Sequence, residues 1–447
     1  MTLVRNISIL ALLAFLWQAG PACGERVPPA PLRLTLEQAI RRGIDTNLAL
    51  ITAVTRVAEA EGSHERQLAK YLPHARLEPS FTYQSINIRA LGINFAGSPS
   101  IVGPFTTWDF RAYADQSIID LQAYHQIKAS GKDKQARVQD FRDVRNQVIR
   151  EVAGQYLQVQ SLLAQAEAAQ SRVATSETLE KLARDQHDVG VATGVDVLRA
   201  QVQLANDRQS LMVAQNAVKQ SVMMLARTIG LSPGTPLVLA EPLAYKALEA
   251  PQIEEAVTDA LKQRADYRSL SLQHDSLEEQ LKASRARYYP KLTLSANYGG
   301  NGPTLGDLQQ TGLVKVDLQF TIFDLDREGE RKELQSRLQR VEAQIADERR
   351  GIEQDVRGAL LNLESSGDQV KVAQEGLTLA ERELTMAEDR FRHGVADNIE
   401  VVNAQDALAR AQQNRILALT GYADAKIALA RALGDTEMTY RSFLGIQ

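Results

Sequence analysis

The chain has 447 residues, of which 44% are hydrophobic, 5% aromatic and 24% charged, with a formal net charge of -4. That length allows about two to three domains, and few aromatics with much Ala, Gln, Leu, Glu and Arg suit helix bundles or coiled coils better than a thick globular core. The charges are spread along the chain without a Lys/Arg block, which argues against a nucleic-acid partner.

The N-terminus reads as a secretory signal over residues 1–22. Arg5 precedes the apolar run ISILALLAFLW, and the small-residue stretch QAGPACG follows it. The run is too short for a membrane helix, so the mature chain is expected to be exported. Cys23 is the only cysteine, which leaves no disulfide framework. It is a candidate for lipidation, although the preceding GPA lacks the aliphatic residue such sites usually carry three positions upstream. No later apolar run is long enough for a membrane helix, so any membrane crossing has to use strands.

A first unit is expected over 32–230. It begins with a helix over 36–70, which Pro73 ends by removing an N–H and favouring an extended chain before it. Strands are predicted at about 74–88 and 107–119. In the first, Leu77, Phe81 and Tyr83 alternate with Glu78, Ser80 and Thr82; in the second, Trp108, Phe110, Ala112 and Ala114 alternate with Asp109, Arg111, Tyr113 and Asp115. The stretch INFAGSPSIVGP between them reads as a loop. A helix of about 70 residues follows over 120–189, then the break VGVATG, then a shorter helix over 195–229. Residues 231–251 link this unit to a second one at 252–434, and 435–447 close the chain.

The second unit repeats the first. Gly190 and Gly394 are 204 apart, and that offset carries Asp120 onto Asp324, Val152 onto Val356, Gln201 onto Gln405 and LARTIG (225–230) onto LARALG (429–434). YLPHARL (71–77) matches YYPKLTL (288–294) at an offset of 217, as LEQAI at 36 matches IEEAV at 253. Ordered agreement of this kind marks an internal duplication. Its helices are expected at 253–288, 324–393 and 399–433. Its strands are expected at about 291–299 and 313–323, with GGNGPTLGD as the loop; Leu292, Leu294, Ala296 and Tyr298 lie on one face of the first, and Val314, Val316, Leu318, Phe320 and Ile322 on one face of the second. At ~1.5 Å per residue the long helices run about 105 Å and the short ones about 50 Å, so one long helix matches two shorter ones stacked end to end.

The strand pattern fits either a soluble hairpin on a helix or a membrane barrel strand with one polar and one apolar face. Export favours the barrel. Four strands cannot close one, so several chains would have to share it.

No catalytic or ligand-binding constellation is present. His64, His74, His125, His187, His274 and His393 are scattered without metal-ligand spacing, and there is no P-loop or G-x-S-x-G. Neither cofactor nor enzyme activity is expected.

The two breaks are helical-hairpin turns. Gly190 and Gly394 suit the left-handed position that ends a helix. Thr193 with Asp196, and Asp397 with Glu400, then have N-cap and acidic N3 spacing for the next helix.

The two-copy order, the Tyr-x-Pro before each strand pair, and the phrases VGVATGVDVLRAQ and HGVADNIEVVNAQ resemble the TolC-like outer-membrane efflux protein family over essentially the whole mature chain. The resemblance implies a mainly helical chain in which duplicated long hairpins form an α-barrel. Four strands from each chain of a homotrimer would make a 12-stranded barrel in outer-membrane lipid, with a periplasmic extension. Residues 231–251 and 435–447 would be the equatorial belt. It further implies a passive exit duct for small molecules or polypeptides in an efflux or type I secretion system, with a periplasmic adaptor and an inner-membrane pump as partners. Gly190, Val191, Ala192, Thr193, Gly394, Val395, Ala396 and Asp397 would be the tip where the adaptor docks, and Asp196 and Glu400 would ring the constriction. Here the sequence departs from the closed-state pattern: Ala396 stands where a basic gate partner would fall, and Asn403 where an inner acidic residue would. Two alternatives are a secreted coiled-coil structural or adhesive protein, and the adaptor itself; the adaptor lacks duplicated strand pairs and carries a Gly-rich lipoyl-like β-domain not seen here.

Overall fold

The computed structural model describes residues 32–444 apart from 93–98, 191, 243, 394, 396, 397 and 435. The signal stretch, Cys23, Val191, Gly394, Ala396 and Asp397 lie outside the described residues. In chain order the elements are β1 (Leu32–Leu34), α1 (Leu36–Thr46), α2 (Leu48–Ala69), β2 (His74–Asn87), β3 (Ile101–Ile119), α3 (Leu121–Asp188), α4 (Gly194–Thr228) and β4 (Leu237–Leu239). The second half continues with α5 (Ile253–Gln263), α6 (Ala265–Ala286), β5 (Lys291–Gly302), β6 (Gln309–Gln319), α7 (Asp326–Arg392), α8 (Asn398–Ala432) and α9 (Thr436–Leu444).

The 68-residue α3 and the 67-residue α7 are the two spines. Nearer the sheet, α3 packs against α2 and α6, and α7 against α6; farther away, α3 packs against α4 and α8, and α7 against α8. The neighbour order is therefore α2–α3–α6–α7 in one half and α4–α3–α8–α7 in the other. Each spine is matched along its length by two shorter helices end to end.

The first helix of each unit is broken where continuous helices were predicted over 36–70 and 253–288. At Asn47 (ψ 128°) the chain turns extended for one residue, and the Asn47 carboxamide accepts the Ala49 N–H at 2.8 Å. Arg264 (ψ 122°) breaks the second without a side-chain cap. These breaks lie at a waist where the ends of α4 and α8 arrive. Gly434 there has φ +90°, and a Cβ on it would sit 2.7 Å from the Arg264 backbone nitrogen. Only glycine combines that left-handed backbone with so close an approach. Gly230 takes the same role over Thr46 in the first unit.

The waist also holds the densest core. Ile149, Val152 and Tyr156 of α3 are fully buried with Leu225 and Ile229 from the end of α4 and Ile427 from α8. Burying one such side chain contributes about 1.5–3 kcal/mol. The Tyr156 hydroxyl donates to the Leu34 carbonyl at 3.1 Å, which ties β1 to the spine; burial pushes that phenol's pKa up. A second cluster joins Ile352, Val356 and Leu360 of α7 to Leu419 and Leu429 of α8. The parallel pairing of β1 with β4 was not foreseen, since three residues carry no readable periodicity. Nor was α9, which packs on α8 and α3.

The strand limits differ from expectation at both ends of β6, at the start of β3 and at the end of β5. β3 starts at Ile101, inside the stretch read as loop, because β2 pairs with it as far as Asn87 opposite Ile101. β5 continues through Gly302 into the expected turn, since Gly302 still pairs with Trp108. β6 ends at Gln319, although the alternation continues through Ile322. Its partner β5 begins at Lys291, opposite Gln319, so residues 320–323 have no strand to pair with in this chain.

Candidate functional site: a two-faced sheet and a helical tip

The strands form one antiparallel sheet in the order β2-β3-β5-β6. Its register carries the sequence alternation across all four strands. One face has Ala75, Ala114, Ala296 and Val314 in line, then Leu77, Ala112 and Tyr298, with Phe81 beside Trp108 and Leu294 beside Val316. The Phe81 and Trp108 rings lie 4.7 Å apart, and Trp108 stacks on Phe110 at 6.3 Å. Within the single chain Leu77, Phe81, Tyr298, Val314 and Val316 remain exposed. So continuous an apolar surface marks an interaction face.

The other face is mainly polar, with Phe105 of β3 and Leu313 of β6 as apolar exceptions. His74, Asp115, Ser295 and Lys315 align, as do Arg76, Tyr113 and Asn297, and Ser80, Asp109, Asn301 and Gln309. Its cations are matched by acids: Arg76 pairs with Glu78 at 2.6 Å and with Asp115, Arg111 with Asp109, and Lys315 with Asp317 at 2.5 Å. The Tyr113 ring lies between the guanidiniums of Arg76 (5.0 Å) and Arg111 (5.6 Å). Such a face is built for water. Among the described residues the outer edges of β2 and β6 have no strand beside them.

The sheet joins the spines through acids that the duplication pairs. Asp120 accepts the Ala123 N–H at 2.8 Å, capping α3, and its other oxygen meets Lys291 of β5 at 2.9 Å. In the second unit Asp324 meets Arg287 at 2.9 Å.

At the opposite end stands the helical tip. Gly190 has φ +78° directly after α3. Thr193 caps α4 with a full capping box: its hydroxyl accepts the Asp196 N–H, and the Asp196 carboxylate accepts from the Thr193 N–H at 3.0 Å and hydroxyl at 2.6 Å. The hydroxyl contact, above all, holds the Asp196 pKa below the ordinary carboxylate range, with Arg199 helping at 3.6 Å. Ala192 lies in the turn before Thr193, and Val395 is exposed in the second turn. Glu400, in the first turn of α8, faces Arg390 of α7 at 3.4 Å. That partner was not foreseen from sequence. Beneath the turns, Leu179, Ala387, Phe391, Val401 and Ala404 form a small core, so the two turns sit together.

Gly190→Ala is expected to cost about 1–2 kcal/mol through its left-handed backbone alone, because the added Cβ would point into open space. A lowered thermal midpoint with helical content retained checks it.

Among the described residues no group of His, Cys, Asp and Glu could hold a metal, and no helix is long and apolar enough to cross a membrane. The sequence model of the outer membrane efflux protein family matches residues 39–231 and 256–435. The chain belongs to that family. A probable efflux pump outer membrane protein of Pseudomonas putida, TtgC, is 27% identical over 64% of this chain, and the match spans 60% of that relative's own length. The pyoverdine export outer membrane protein OpmQ of Pseudomonas aeruginosa is 23% identical, over 89% of this chain and 85% of its own. The fold matches the outer membrane protein VceC of Vibrio cholerae at TM-score 0.77 and 18% identity, over 89% of this chain and 96% of that one. It also matches the open-state MtrE channel of Neisseria gonorrhoeae at TM-score 0.76 and 17% identity, over 91% and 90%. A mainly helical, TolC-like channel fold is thus common to them all.

Proposed function

We propose that this efflux-family chain is the passive outer-membrane exit duct of a tripartite pump, and that it works as a homotrimer. Three copies of the four-stranded sheet, pairing the β6 edge of one with the β2 edge of the next, give twelve strands and leave no open edge in lipid. The observation that carries this is the sheet itself, apolar on one face and charge-paired on the other, with both edges open. The apolar face meets outer-membrane lipid and the polar face lines a wet lumen. The helices continue the duct across the periplasm to a tip where an adaptor docks, around Gly190, Val191, Ala192, Thr193, Gly394, Val395, Ala396 and Asp397. Residues 231–251 and 435–447 form the belt. Energy comes from an inner-membrane pump. Relatives named for toluene, antibiotic and pyoverdine export favour small-molecule cargo.

At the tip Asp196 and Glu400 guard the aperture as a ring of carboxylates, in addition to Asp196's capping role. Planar-bilayer recording tests both statements. The detergent-extracted wild type is expected to give ohmic channels that prefer cations, and wild type that forms none sinks the duct reading. Replacing Asp196 with Asn and Glu400 with Gln keeps the cap's hydrogen bonds and is expected to lower the cation preference. An unchanged preference would leave capping as the sole role.

A further inference from the structure

At the waist, where α3, the α5–α6 junction and the start of α9 meet, lies a pocket of about 270 Å³. Arg142 and Arg145 of α3 and Arg268 of α6 line it, with Gln139, Gly434 and Glu437. Three guanidiniums thus face one carboxylate from the described residues. Arg145 donates to Glu437 at 2.6 Å through one amino group, while its Nε is buried with no hydrogen-bond partner. Neither Arg142 nor Arg268 has an ion pair or a side-chain hydrogen bond among the described residues.

The neighbouring acids among the described residues are already engaged. Asp266, Asp355 and Glu348 hold Arg264, and Asp143 holds Arg431. Of the three arginines only Arg145 has an arginine, Arg349, at its duplicated position. The duplication places Ala346 at the counterpart of Arg142 and Ile51 at that of Arg268, at offsets of 204 and 217. Arg142 and Arg268 are exposed and Arg145 is half-buried, so the pocket is open to a soluble ligand.

We infer that this pocket binds a phosphate-class oxyanion. Planar guanidinium forks match phosphate oxygens bidentately, and those of Arg142 and Arg268 have no other partner among the described residues. Lipid headgroups are out of reach, because Arg142 lies 21 residues into α3, about 32 Å from its sheet end. The ligand is therefore a soluble phosphate or phosphate ester. This site does not depend on the channel reading and is measured without a membrane.

The test is calorimetric titration of the full-length protein in detergent with inorganic phosphate, at fixed ionic strength in chloride. Wild type should give saturable binding. Arg142→Gln with Arg268→Gln should weaken it about tenfold or more, while Arg227→Gln, outside the pocket, leaves it unchanged. Glu437→Gln frees Arg145 and should tighten binding, a gain that misfolding cannot imitate. No saturable heat in wild type, equal binding in the double variant, or no gain in Glu437→Gln would overturn the proposal.

Discussion

Replacing Val314 and Val316 with arginine is expected to remove the protein from the outer membrane, whereas arginine at Leu313 is tolerated. The three positions are neighbours on one strand, but Val314 and Val316 lie on the apolar face and Leu313 on the polar face, opposite Asn297. In lipid, each arginine near the bilayer midplane costs about 2–4 kcal/mol, and a trimer carries the pair in every copy. In water the cost would be close to nothing, since within the single chain Val314 and Val316 are 73% and 64% exposed. The pattern therefore separates a membrane barrel from a soluble sheet more sharply than simple loss of function. Fractionation after carbonate washing, with heat-resistant oligomer on gels as a folding check, is the measurement. If the double variant remains in the outer membrane like wild type, this face does not meet lipid.

Much of this architecture could be read in the sequence because it rests on local repetition. Period-two alternation fixed which residues share a sheet face, and the register then placed Leu294 beside Val316 and Asn297 beside Leu313. Gly190 and the Thr193–Asp196 spacing are short-range signals, and the turn they mark is where they put it. What could not be read depends on pairing partners. The alternation through Phe320 and Ile322 is as regular as that through Val316, yet the strand stops at Gln319 because β5 starts opposite it. Glu400 takes Arg390 as its partner because α7 and α8 pack with one particular face toward each other.

The break at Arg264 is the clearest case. Arginine is a good helix former, and no glycine or proline stands nearby, so local propensity argues for continuity. The chain turns there because its guanidinium can reach acids on two helices, Asp266 of α6 at 2.6 Å and Asp355 and Glu348 of α7 at 2.7 and 3.3 Å, while Gly434 at the end of α8 presses on its backbone. Asn47, its counterpart, breaks the first unit with a local cap instead. The same device, a helix broken at the waist, is thus made once by short-range chemistry and once by tertiary charge pairing, and only the first kind leaves a mark in sequence.

That charge pairing predicts the second large effect. Arg264→Met is expected to destabilise the protein by about 3–5 kcal/mol, the cost of leaving buried charge without its partner. Arg264 is 7% exposed at its side chain and Asp266 22%, so solvent screens their pair poorly. Burial opposes the charge on both, but their mutual hydrogen bonds outweigh it, holding the Arg264 pKa up and the Asp266 pKa down. Burial raises Asp143 and Glu348 above the usual carboxylate range, against the pull of Arg431 on the first and Arg264 on the second. The signs fix the pH dependence. In wild type the Asp266 contribution is present above its unfolded pKa and is lost as pH falls through its lower folded value. The raised groups oppose folding when ionised, and that penalty fades as pH falls through their folded values. Without the Arg264 cation, Glu348 and Asp266 move upward, so the variant gains more from protonation than wild type does. The difference in unfolding midpoint in detergent, followed by helical circular dichroism, should be largest near pH 7.5 and shrink toward pH 5. A difference that is small, or that grows on acidification, would mean the waist is held by its apolar core and the ion pairs are incidental to it.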